Sequence, residues 1–175
     1  MGPAGAGKSL QGHGLADEYG YAYLSTGELF RVLITGRRRH EMLEGKLLSD
    51  QEVIRVVDRS LEIIDTSEEF ILDGFPRTKA QVDWLLEQHK AGRFDTPVVI
   101  NLEIEEDIIH ERLQKRGRPD DTEEAIARRF ADYRSVTYPI LAYMAKKGLV
   151  IHDVNAAQPA ADVRHDIIEA LGLEP

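Results

Sequence analysis

Along the chain the spacing of apolar positions switches repeatedly between about two and about three and a half residues, the signature of strands and helices in alternation. Residues 8–18 read as a helix opening directly behind a glycine-rich stretch, and 21–24 (Tyr-Ala-Tyr-Leu), bounded by Gly20, as a short strand. Ser25 is placed to cap a helix running through Arg31, with Glu28 three residues on to complete a capping box. After a charged segment at 37–44, Asp50 begins an amphipathic helix carrying Val53, Val56, Val57, Leu61 and Ile64 on one face. Residues 70–72 (Phe-Ile-Leu) read as a buried strand that runs into Asp73-Gly74-Phe75-Pro76, and a helix follows over 78–90.

The second half repeats the scheme: a strand at 97–102, a helix at 105–116 and a turn at 117–121. Thr122 then opens a long helical pattern that Pro139 must kink or divide, since proline lacks the N–H the helix needs. A strand at 149–154 and a helix at 159–171, with Pro159 at its first turn, end the chain. Strands alternating with helices imply βαβ units, hence an α/β fold of three layers with a parallel sheet flanked by helices. No repeats, low-complexity tracts or linkers interrupt it, so residues 1–175 read as a single domain.

Composition narrows the function. No apolar run approaches the roughly 18 residues that span a bilayer, and a net charge of −9 argues against a general nucleic-acid binder, including one built on Arg37, Arg38 and Arg39. The absence of cysteine excludes disulfides and thiolate metal sites, and the six histidines show no metal spacing. A cytoplasmic protein is the expectation. Yet 15 of the 22 basic residues are Arg, whose rigid fork of donors matches phosphate oxygens as Lys does not.

Gly2-Pro3-Ala4-Gly5-Ala6-Gly7-Lys8-Ser9 fits the phosphate-cradling pattern G-x-x-x-x-G-K-[ST]. Its glycines let the backbone wrap phosphates with inward N–H groups, Lys8 reaches the β- and γ-phosphates, and Ser9 can ligate Mg²⁺. The bland alternative, a flexible Gly/Ala-rich tail, would carry more weight if the segment stood alone. Four further blocks accompany it in order: 24–31 (Leu-Ser-Thr-Gly-Glu-Leu-Phe-Arg), 45–50 (Gly-Lys-Leu-Leu-Ser-Asp), 72–78 (Leu-Asp-Gly-Phe-Pro-Arg-Thr) with Gln81, and 118–121 (Arg-Pro-Asp-Asp). Together the five resemble the adenylate kinase family over nearly the whole chain.

The resemblance implies a P-loop NTPase fold, Mg²⁺ as cofactor, and ATP and AMP as partners, exchanged for two ADP by a monomer that uses neither nucleic acid nor membrane. It implies ATP binding by Gly2, Ala4, Gly5, Ala6, Gly7, Lys8, Ser9, Leu10, Arg112 and Arg116, and AMP binding by Thr26, Arg31, Leu48, Gly74, Arg77, Gln81, Arg118 and Arg129. Lys8, Arg77, Arg112, Arg118 and Arg129 would serve the transferring group, and Ser9 and Asp73 the metal, largely through water. Gln81 offers a donor and an acceptor to the pairing edge of adenine. Thr26 favours AMP, because the pyrimidine monophosphate kinases of this superfamily usually have Ala in that motif. A UMP/CMP kinase, and a nucleotide-binding protein with impaired catalysis, stay open as alternatives.

Several features depart from the family pattern. An apolar central strand normally precedes the P-loop, whereas Met1 alone stands before Gly2; either the true start lies upstream, which is the expectation, or the protein truly lacks the strand and is impaired. The acceptor flap, at about 25–54, is short between Arg31 and Gly45, and the lid, at about 116–121, has one Gly between Arg116 and Arg118, as in short-lid members. Without cysteine, a zinc-bearing lid is excluded. Leu10 stands where the family commonly has Thr.

Overall fold

A computed structural model describes residues 1–35, 48–117 and 122–174. In chain order the elements are α1 (Lys8–Tyr19), β1 (Ala22–Ser25), α2 (Thr26–Leu33), α3 (Asp50–Leu61), β2 (Phe70–Asp73), α4 (Lys79–Lys90), β3 (Val99–Glu103), α5 (Glu106–Arg116), α6 (Glu123–Asp132), a π-helical turn (Tyr133–Thr137), α7 (Tyr138–Lys146), β4 (Ile151–Asn155) and α8 (Ala160–Leu171).

The strands pair in parallel, β1 with β2 and β3 with β4, with Ser25 opposite Asp73 and Leu102 opposite Val154. Alternation sends their side chains into different layers. Ile71 of β2, Ile100 and Leu102 of β3, and Val154 of β4 pack with Leu15 of α1 and Val163 and Ile167 of α8. Val99 and Ile151 point the other way, onto Val82 of α4 and Ile140 and Met144 of α7. Leu24 and Phe70 join Phe30 of α2, Val57 of α3 and Leu85 of α4. A fourth cluster, Ile109, Leu113, Ile126 and Phe130, holds α5 to α6. Each fully buried aliphatic side chain contributes about 1.5–3 kcal/mol, so helices on both faces are what make these short parallel strands stable. The expected α/β layering is present.

Local signals explain most boundaries. Ser49 and Glu52 form a reciprocal capping box at the head of α3. At α2 only half of the expected box forms: Ser25 Oγ accepts from Glu28 N–H at 3.4 Å, while the Glu28 carboxylate meets His13 Nε2 at 3.1 Å instead. The last strand begins two residues later than its apolar run, at Ile151, because the Leu149 N–H is already taken by the Met144 carbonyl in the turn that ends α7. The long helical pattern is divided close to Pro139, into α6 and α7 with the π turn between them. Pro139 sits in the first turn of α7, just past the π turn, where its missing N–H is least costly.

The two strand pairs are not hydrogen-bonded to one another among the described residues. Met1 pairs with the edge of β3: its nitrogen donates to the Ile100 carbonyl, and its carbonyl accepts from Leu102 N–H at 3.2 Å. That is how a parallel strand residue opposite Asn101 bonds. The cleft continuing past Met1 is walled by Ile71 and Leu72 of β2 on one side and Val99 and Ile100 of β3 on the other. An extended apolar pentapeptide fused ahead of Met1 is therefore expected to raise Tm by roughly 5–10 °C over a Gly/Ser extension of equal length. Equal melting of the two in a calorimeter would show that the cleft does not take a strand.

Candidate active site

The glycine-rich loop turns back on itself, with Ala6 N–H donating to the Pro3 carbonyl at 3.3 Å, and feeds straight into the N-terminus of α1. Gly5 shows why a side chain is intolerable in this loop. It has φ +86°, and a Cβ there would stand 2.7 Å from Ile109 Cγ2, so the loop lies directly on α5. Gly2, Ala4, Gly5, Gly7, Lys8, Ser9 and Leu10 line one cavity of about 860 Å³. Ala6 does not; it is buried in the core beside Leu15 and Leu102. The Lys8 ammonium folds over the loop and donates to the carbonyls of Gly2 and Pro3, at 2.8 and 2.7 Å.

Asp73, the last residue of β2, faces the loop. Its Oδ2 accepts from Ser9 Oγ and from the Tyr23 hydroxyl, each at 2.8 Å. Burial alone would raise the carboxyl's pKa; the Lys8 charge and the two hydroxyl donors outweigh it, and the pKa falls below its ordinary value. Asp73 therefore stays an anion and an acceptor at neutral pH. Burial and the adjoining carboxylate raise the Tyr23 phenol, which remains a donor.

The motif after β2 turns sharply at Gly74, with φ +81°. The Gly74 carbonyl accepts from Arg77 Nε at 2.7 Å, and Thr26 Oγ1 donates to the Asp73 carbonyl at 3.3 Å. Desolvation of the half-buried Arg77 pulls its pKa below the usual guanidinium value; Asp73 opposes this, and the charges of Arg129 and Arg31 reinforce it. Because a guanidinium does not give up its proton in a protein, the result is three mutually repelling cations around one pocket. Arg31, Arg77, Arg112 and Arg129 come from α2, the turn before α4, α5 and α6, and all line the cavity with Thr26, Leu48, Asp73, Gly74 and Gln81. Arg112 also reaches across to the loop after β4, donating to the Ala156 carbonyl at 2.9 Å. Arg118 and the side chain of Arg116 lie outside the described residues.

Gln81 is 3% exposed, and its amide is engaged within the protein: Oε1 accepts from Arg77 N–H and Nε2 donates to Asp50 Oδ1, both at 2.8 Å. Tyr23 and Asp50 are the site's unforeseen members. Their residue types gave no warning, since each acts on a partner 50 or 31 positions away.

The family model of adenylate kinase matches residues 1–149. The chain belongs to the adenylate kinase family. It is similar to an adenylate kinase of Prochlorococcus marinus, 36% identical with 98% of this chain and 96% of that protein covered. It is also similar to an adenylate kinase of Corynebacterium urealyticum (39% identical, 82% of each covered) and to adenylate kinase 1 of a Nostoc species (35% identical, 98% and 96% covered). Adenylate kinases are nucleoside monophosphate kinases, and the chain is accordingly a phosphotransferase; a UMP/CMP kinase or a non-catalytic binder is not favoured. Among the described residues no helix is long and apolar enough to cross a membrane.

Gly74→Ala tests the turn. A Cβ there would stand 2.5 Å from Thr26 Oγ1 and 2.9 Å from Arg77 Nη2, at a φ that alanine resists. The variant is expected to lose AMP affinity by at least tenfold while ATP binding, measured by calorimetry, changes little. Equal loss for both nucleotides would mean that the turn supports the whole pocket rather than the acceptor side.

Proposed function

We propose that this chain transfers the γ-phosphoryl group of ATP to AMP, yielding two ADP, as a cytoplasmic monomer whose single domain carries a short acceptor flap and a short lid. The observation that carries this reading is the half-buried Arg77, lining with Arg31 and Arg129 the same cavity as the P-loop. Gathering like charges in one partly buried pocket is costly in a resting protein and becomes favourable once phosphates enter.

Phosphoryl transfer suits this equipment. Its transition state is loose and spreads negative charge over equatorial oxygens, so positioning and fixed cations supply most of the rate. The attacking group is already a phosphate oxygen and needs no general base. On this reading the loop amides and Lys8 hold the donor phosphates, exchanging the Gly2 and Pro3 carbonyls for phosphate oxygens. Arg31 and Arg77 grip the acceptor phosphate, Arg112 and Arg129 meet the group in flight, and Thr26 and Gln81 lie by the base.

The donor set also fits Mg²⁺. One ionised carboxylate and one hydroxyl, 2.8 Å apart at the head of α1, are hard oxygens suited to an ion that keeps water and phosphate as its other ligands. Bound there through Ser9 and Asp73, the ion would supply charge neutralisation between the phosphates.

Arg77→Ala is expected to lower kcat by roughly 10²–10³, in line with removal of one preorganised donor to developing charge. A coupled assay of ADP formation with AMP, CMP, UMP and GMP as acceptors measures this, with circular dichroism to verify the fold. Near-normal turnover, or a strong preference for UMP in the parent protein, would overturn the assignment.

A further inference from the structure

The orientation of the Gln81 amide is decided by its neighbours. A backbone N–H can only donate, so the contact at 2.8 Å from Arg77 N must be to Oε1. An ionised carboxylate can only accept, so the contact at 2.8 Å to Asp50 Oδ1 must come from Nε2. Thr78 braces the same oxygen, its hydroxyl donating to Asp50 Oδ1 at 2.7 Å while its Oγ accepts from Gln81 N–H at 3.3 Å. An amide turned over would set NH₂ against the Arg77 N–H and oxygen against the Asp50 carboxylate. Two clashes oppose the flip, one from each side.

This lock has a chemical reading. Once its two internal bonds are counted, Gln81 retains one Nε2–H donor and one Oε1 lone pair, and it lines the acceptor cavity. In that orientation the pair matches adenine, whose edge presents an N1 acceptor beside an N6 donor. Hypoxanthine and guanine present the reverse, an N1–H donor beside an O6 acceptor, and would be matched only by the flipped amide. A freely turning glutamine would suit both classes.

We propose that Asp50 is a specificity-determining positioning residue: from the first turn of α3 it fixes the Gln81 amide one way round and so makes the site select 6-amino over 6-oxo purine monophosphates. This rests on the acceptor site proposed above. Asp50 touches no substrate; it acts through Gln81.

The test compares AMP with IMP, which differs from it at the N1/C6 edge, as acceptors for Mg-ATP in the parent protein, Asp50→Ala and Asp50→Asn. The ratio of kcat/KM for AMP over IMP is expected to fall about tenfold in Asp50→Ala, within the range carried by a bidentate base contact. The fall should be smaller in Asp50→Asn, which keeps an acceptor oxygen but can also present an amine. Should Asp50→Ala fail to fold, the near-isosteric Asp50→Asn carries the measurement alone. A ratio equal to the parent's in a folded variant, with both acceptors slowed alike, would overturn the inference and leave Asp50 a purely structural clasp. A parent protein that does not phosphorylate AMP would overturn the acceptor assignment itself, and the inference with it.

Discussion

Oδ2 of Asp73 accepts hydrogen bonds from Ser9, at the head of α1, and from Tyr23, in β1. Through that one atom the P-loop helix, the first strand and the Gly74 turn are tied together. The backbone of the same residue accepts from Thr26, at the start of α2. The carboxylate can take this part only because it stays ionised despite burial, and Lys8 does most to keep it so. Charge on the donor side thus holds in place the turn that presents Arg77 on the acceptor side. Replacing one oxygen would loosen both halves of the cavity together.

Against that anion stands an excess of arginine. Arg129 and Arg31 both set positive charge against Arg77, with Asp73 opposing them. Folding therefore has to bring like charges together, and the gain from the packed clusters around α4, α7 and α8 has to cover it. Sites of this kind trade stability for preorganisation: the cations are set before the substrate arrives, and no reorganisation remains for the reaction step.

Most of this could be read before any coordinates. Helices and strands follow the apolar period, and the motif residues Lys8, Ser9, Asp73 and Arg77 converge because their chemistry ties them to short, local turns. What escaped was long-range competition for partners. Glu28 has the right spacing for a capping box but is drawn to His13 on α1. Leu149 and Val150 have strand-like side chains, yet the turn after α7 claims the Leu149 N–H. Tyr23 looked like an ordinary strand aromatic, and Asp50 like an ordinary helix-opening acid. Their roles depend on which oxygen or amide the fold sets opposite them, and spacing along one segment does not encode that.

The π turn at Tyr133–Thr137 has a consequence of its own. It joins α6, which carries Arg129, directly to α7, whose Ile140 and Met144 are locked into the core. A residue of α-helix advances the winding by about 100°, so the extra width of the turn sets the angle between the anchored face and the arginine. Both arms are packed, α7 through Ile140 and Met144 and α6 through Ile126 and Phe130, so the turn fixes the phase between two anchored faces. Shortening the turn by a single residue would put the face of α6 that carries Ile126 and Phe130, and Arg129 with it, out of phase with the core face of α7. Length, here, is as much a part of the site as identity.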